Sequence, residues 1–228
     1  DLQEENVPAL EKGIVNLQAH VENMRKYGVP VVVAINRFHT DTAAELAVID
    51  RCCEEMGVPY ALSEVFAKGG DGGMDLARKV VAAAEQAGQS TGFSCLYPDD
   101  IPIEAKLEAI AKNIYGADGV AYTAAAKRSL ENIRSLGGDA LPVCIAKTQY
   151  SLSDNAALLG RPRGFEITIR DLRLSSGAGF VVAYAGDIMT MPARSVSVIA
   201  RWLFFCRRLR RLMWTARAPF QACSEVDT

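Results

Sequence analysis

Pro30–Phe38, PVVVAINRF, runs into His39–Leu46, HTDTAAEL. Pro59–Phe66, PYALSEVF, runs into Ala67–Val80, AKGGDGGMDLARKV. Each short apolar run ends on an aromatic and is followed by a polar or glycine-rich loop and then by a helical pattern. Strands that alternate with helices predict an α/β fold with a largely parallel sheet and flanking helices. In such sheets ligands sit where strand ends meet the following loops. Phe38 and Phe66 are thus a candidate pair of faces for a flat heterocycle, since offset stacking adds about 0.5–1.5 kcal/mol beyond area burial. The competing reading is ordinary core, the commoner fate of Phe at a strand end.

Upstream, Leu10, Ile14, Leu17, Val21 and Met24 are spaced 4, 3, 4, 3, which predicts one helix from about Pro8 to Tyr27, closed by Gly28. Thr42 and Glu45 form a capping box that opens the next helix, through about Met56. Downstream, the glycine-rich loop 69–73 leads to a helix over 74–87, and residues 88–102 read as a linker. IEAKLEAIAKNIYG and about 123–135 are helical. LPVCIAK and GFVVAYAG are strands. FEITIRDLRLS alternates and reads as an exposed or edge strand. Three regions are expected: an α/β region over 1–88, a smaller second α/β lobe over 89–192, and the tail 193–228.

The 228 residues carry a net charge of −2, which gives no whole-chain case for nucleic acid. The charge is unevenly placed. Residues 193–228 hold seven Arg, no Lys and two acids, together with both Trp residues. This tail reads either as a basic amphipathic helix for an anionic membrane or acidic partner, or as non-native sequence from a frameshift or misjoined exon. The abrupt Arg-only onset favours the second. The six cysteines show no C-x-x-C pair and no His that would complete a metal set, so no metal site is expected. No signal peptide and no run of 18 apolar residues occurs. The chain begins without Met, directly before a helix, and is expected to be the C-terminal part of something longer.

Other motifs are weaker. Lys68-Gly69-Gly70-Asp71-Gly72-Gly73 precedes a helix, where glycines permit close backbone approach and the helix start attracts anions. It has neither the G-x-x-x-x-G-K-[ST] nor the G-x-G-x-x-G spacing. It reads equally as a flexible loop that admits a ligand. Lys147 and Thr148 close a strand and either orient a ligand or belong to a solvated loop. Arg161 and Arg163 flank Pro162 in a basic turn, read first as surface. His39 follows Phe38 and lies within reach of any ligand there.

ENVPALEKGIVNLQAHVENMRKYGVPVVVAIN, FHTDTAAE, ALSEVFAKGGDGG, IYGADGV, LPVCIAKTQYS, GRPRGFEITIRDLRLSSGAGF and GDIMTMP cover about residues 1–192 in order. On these stretches the chain resembles the formate–tetrahydrofolate ligases. The resemblance implies a P-loop NTPase-like ligase fold, of which this chain is the C-terminal portion. It implies ATP-dependent ligation of formate to tetrahydrofolate: formyl phosphate and ADP form first, and N10 then attacks the formyl carbon. ATP with Mg, formate and tetrahydrofolate are substrates, with no tightly bound cofactor. The pterin would stack between Phe38 and Phe66, with His39, Lys68, Gly69, Gly70, Lys147 and Thr148 as possible neighbours. Two residues depart from the family pattern: His39 stands where Pro is common, and Phe66 where Trp is common. The catalytic and phosphate-handling residues are expected upstream of residue 1, so the chain alone is expected to be inactive. The alternative is a folate-binding remnant, or an interaction module with a basic tail. A homotetramer and a cytoplasmic location, mitochondrial in some eukaryotes, are implied for the full-length enzyme. Neither nucleic acid nor membrane is expected as a partner.

Overall fold

Asn6 starts the first helix by accepting the Ala9 N–H at 3.0 Å on its side chain, and Pro8 occupies the first turn, where no N–H is needed. The computed structural model describes residues 4–89 and 92–186, all of which belong to one compact unit. The Arg-rich tail and most of GDIMTMP lie outside the described residues. Helix α1 spans Val7–Arg25, and its buried Val21 packs with Val33, Ile35, Cys53 and Val58. Strand β1 (Val33–Asn36) pairs in parallel with β2 (Tyr60–Ser63), in register from Val33 against Tyr60 to Asn36 against Ser63. Helix α2 (Ala43–Glu55) makes the crossover between them and carries the predicted capping box of Thr42 and Glu45.

The run PYALSEVF was expected to continue as strand to Phe66. The strand ends instead at Ser63, and Val65–Lys68 forms a one-turn helix, α3. Its first carbonyl is that of Glu64, which accepts the N–H groups of Ala67 and Lys68. A 3₁₀ turn over Gly69–Gly73 follows, and then α4 (Met74–Gln89).

The second sheet has the order β3-β5-β6-β4. Its strands are β3 (Gly119–Tyr122), β4 (Val143–Ala146), β5 (Glu166–Ser175) and β6 (Phe180–Ala185). Both outer pairs are parallel and the central β5–β6 pair is antiparallel. FEITIRDLRLS is therefore an interior strand, not an edge. Ile167 and Ile169 alternate into the core, and a register shift between Ile169 and Asp171 moves the next buried residue to Leu172, but alternation reports a single buried face and not the place of a strand in the sheet. Strand β3 was not expected from sequence.

Helix α5 (Ile103–Ile110), extended by a π turn over Ala111–Tyr115, and helix α6 (Ala124–Ser135) supply Ile103, Leu107, Ala126, Leu130 and Ile133 to the core of this sheet. Lys106 is fully buried among them. Its ammonium donates to the carbonyls of Leu141 (3.0 Å) and Asp139 (3.4 Å), and burial lowers its pKa from the ordinary lysine value.

Helix α1 also reaches this second region. Asn23 Nδ2 donates to the Ile114 carbonyl at 2.7 Å, Lys26 Nζ donates to the Asn113 carbonyl, and Arg161 grips Glu22 through both guanidinium nitrogens. The start of the chain is thus fastened to the π turn and to the turn before β5. Among the described residues, no helix is long and apolar enough to cross a membrane.

Candidate functional site

Two loops leave the C-terminal ends of β1 and β2 side by side. Pairing continues one residue past the strands, where the Arg37 N–H donates to the Ser63 carbonyl at 3.1 Å. The first loop then closes on itself. The Phe38 N–H donates to Asp41 Oδ2 at 2.8 Å, and the Asp41 N–H returns to the Phe38 carbonyl at 3.2 Å. Thr42 and Glu45 cap α2, and Glu45 also accepts the Asn6 N–H at 2.9 Å. These bonds, Asn6 first and Thr42 second, hold the Glu45 carboxyl below its ordinary range. The fixed backbone leaves the Phe38 side chain 60% exposed, with His39 exposed in the same turn.

The second loop is folded around Glu64. Its N–H donates to the Gly72 carbonyl at 3.0 Å. A Cβ on Gly72 would stand 2.5 Å from the Glu64 carbonyl atoms, so this approach requires glycine. Gly69, at φ 60 and ψ −145, adopts a conformation that is essentially reserved for glycine. Glu64 Oε2 accepts from Lys68 Nζ at 2.6 Å and Oε1 from Arg37 Nη1 at 3.1 Å. Lys68, and then Arg37, hold this carboxyl below its ordinary range. Phe66 sits on α3 with its side chain 100% exposed, beside an exposed Val65.

The first loop carries Phe38 and His39 and the second carries Phe66, Lys68, Gly69 and Gly70, and the Arg37–Glu64 pair joins the two loops. Two phenylalanines displayed on neighbouring loops are not serving the core. Their exposed rings are flat, apolar and polarisable. Arg37, Asp41 and Glu64, which shape both loops, were missed from sequence. The Glu64–Lys68 spacing of four residues was the available signal.

Lys147 and Thr148 lie at the end of β4, in the other sheet. Lys147 Nζ donates to the carbonyls of Thr148 (2.9 Å) and Ser151 and stands 5.1 Å above the Tyr115 ring. Burial lowers the Lys147 pKa, and it pushes the Tyr115 hydroxyl up to about 12. Thr148 Oγ1 accepts the Tyr150 N–H at 3.3 Å. Both side chains thus brace their own loop. Arg161 is spent on Glu22.

A groove of roughly 390 Å³ lies at the opposite ends of β1 and β2, lined by Pro30, Val58, Pro59, Ala83, Arg25 and Lys79. Its two cations already donate to backbone carbonyls, Arg25 to Met56 at 2.6 Å and Lys79 to Tyr60 at 2.5 Å. Ligands of parallel sheets gather at the other, C-terminal ends, and the displayed aromatics are there too. Among the described residues no cluster of His, Cys, Asp or Glu could hold a metal ion.

A family model described as formate–tetrahydrofolate ligase matches residues 1–202 of the chain.

Proposed function

Because the chain belongs to the formate–tetrahydrofolate ligase family, we propose that its loops 37–42 and 64–73 hold the pterin of tetrahydrofolate between Phe38 and Phe66, for ATP-dependent formylation at N10. The observation that carries this reading is the pair of exposed phenylalanines on the two loops that follow the adjacent parallel strands β1 and β2. A pterin sandwiched there loses water from both faces, and its N10 side chain projects past the ring edges towards the acyl donor.

In this reading the reaction has two steps. Formate attacks the terminal phosphorus of ATP, giving formyl phosphate and ADP. The N10 lone pair then attacks the formyl carbon, the C–O bond to phosphate breaks, and N10 loses a proton. The contribution of the site is to orient the amine, a matter of positioning rather than covalent catalysis. We assign folate binding to residues within this chain. Residues 1–88 form the folate-site region in this scheme and 89–192 the supporting lobe. Lys147 and Thr148 act by shaping their loop. A homotetramer and a cytoplasmic or mitochondrial location go with the complete enzyme.

Calorimetric titration of tetrahydrofolate into the 228-residue chain tests this proposal, beside a Phe38→Ala/Phe66→Ala variant whose fold is verified by circular dichroism. Saturable binding that the variant loses supports it. Equal binding by both rejects the clamp. A folate-binding module without turnover is the second reading, and the absence of the nucleotide-loop sequence favours it for this chain alone. Formate-dependent ATP hydrolysis by the purified chain would reject that reading.

A further inference from the structure

Resting on the reading of Phe38 and Phe66 as the pterin clamp, we propose that Glu64 is the positioning residue that sets both arms of the clamp at once. Its carboxylate has two oxygens and gives one to each arm. Oε1 takes Arg37, the neighbour of Phe38, and Oε2 takes Lys68, two residues beyond Phe66. Its backbone completes the set. The N–H ties down Gly72 in the glycine-rich turn, and the carbonyl starts α3 by accepting Ala67 and Lys68. One residue thereby touches the first loop, the helix that carries Phe66 and the turn that follows it.

As a contribution to global stability these partly exposed ion pairs are small. Their effect falls on the site. Two loops that must be ordered separately when a ligand arrives weaken binding by the entropy lost. A carboxylate that already spans both loops makes that ordering part of the folded state. The two cations are the more exposed members of the network, at 41% and 58%, whereas Glu64 is 24% exposed. The carboxylate is thus the fixed post and the cations are the arms.

The test uses the whole chain and the variants Glu64→Gln, Arg37→Met and Lys68→Met, read by hydrogen–deuterium exchange and by tetrahydrofolate titration. Glu64→Gln is expected to speed exchange in both 37–42 and 64–73. Arg37→Met should do so only in the first segment and Lys68→Met only in the second. Glu64→Gln should weaken binding about fivefold, the scale of two partly exposed pairs. It should also shrink the ultraviolet difference spectrum of the saturated pterin, which reports ring stacking and which a merely structural defect would leave alone. Added to the Arg37→Met/Lys68→Met double variant, Glu64→Gln should produce no further loss of affinity. Faster exchange confined to 64–73 overturns the proposal. So does unchanged affinity in Glu64→Gln while Phe38→Ala/Phe66→Ala loses binding. If the phenylalanine variant binds like the wild type, or the wild type does not bind, the clamp reading falls on its own. The positioning role falls with it, and the exchange pattern then shows only whether Glu64 ties the two loops.

Discussion

Phe66→Ala separates stability from binding. The Phe66 side chain is fully exposed, so folding gains nothing from burying it. Its truncation should change unfolding free energy by less than about 0.5 kcal/mol, as for surface positions generally, and Tm by less than about 2 °C for a domain of this size. Binding is a different matter. Covering one ring face removes about 80 Å² of the 150–250 Å² that an aromatic buries, which contributes about 2 kcal/mol at 25 cal/mol per Å². Stacking adds about 1 kcal/mol. The sum, about 3 kcal/mol, corresponds to a loss of roughly two orders of magnitude in Kd. Thermal unfolding followed by circular dichroism, with calorimetric titration of tetrahydrofolate on the same samples, measures both quantities. A Tm that falls by many degrees would mean that the ring packs on the protein. A Kd within threefold of wild type would mean that it does not face the ligand. Either result refutes the reasoning.

Three other outcomes are expected. Gly72→Ala should open the second loop and abolish tetrahydrofolate binding, since its methyl would stand 2.5 Å from the Glu64 backbone; unchanged titration curves would contradict that geometry. Lys106→Met should lower stability by about 2 kcal/mol in urea unfolding, because two partly buried carbonyls lose their donor. The Lys106 pKa is lowered in the folded state, so the unfolded chain binds the extra proton at pH values between that lowered value and the ordinary 10.5. Stability from this group therefore rises with pH across that window, and the gap between wild type and Lys106→Met should widen there. Glu22, Glu45 and Glu64 are all held below their ordinary value of 4.5. Their contributions are complete above that value and are lost as pH falls through the lower folded values. The urea midpoint should drop in acid below about pH 4.5, and less so in a Glu45→Gln variant.

Much of the fold was legible because its cues are local. The 4-3-4-3 spacing of α1 and the Thr42–Glu45 box state their structures within one or two turns of chain. The remainder depended on distant partners. Strand β3 is four residues, Gly-Val-Ala-Tyr, with one β-branched side chain. It is a strand because β5 lies alongside it, 47 residues later. The interior place of β5 was equally hidden, since a period of two describes the faces of a strand and not its edges. At the site, the aromatic pair was visible but its setting was not. SEVF has the apolar look of a strand, yet the chain turns at Glu64 because Gly72 comes back to meet the Glu64 N–H, a contact that no propensity encodes. Lys147 stands charged at a strand end in the sequence, and its charge is used on its own loop.

The fastening of α1 also has a temporal side. Glu22 meets Arg161 across 139 residues of chain, and Asn23 meets Ile114 across 91. At ribosomal speeds of 5–20 residues per second, α1 waits roughly seven to thirty seconds for Arg161. During that interval β1, α2 and β2 can already pack on the near face of α1 through Val21. The nascent chain would therefore emerge with the β1–β2 pair assembled and the far side of α1 still bare, a surface for chaperones until the turn that carries Arg161 leaves the tunnel.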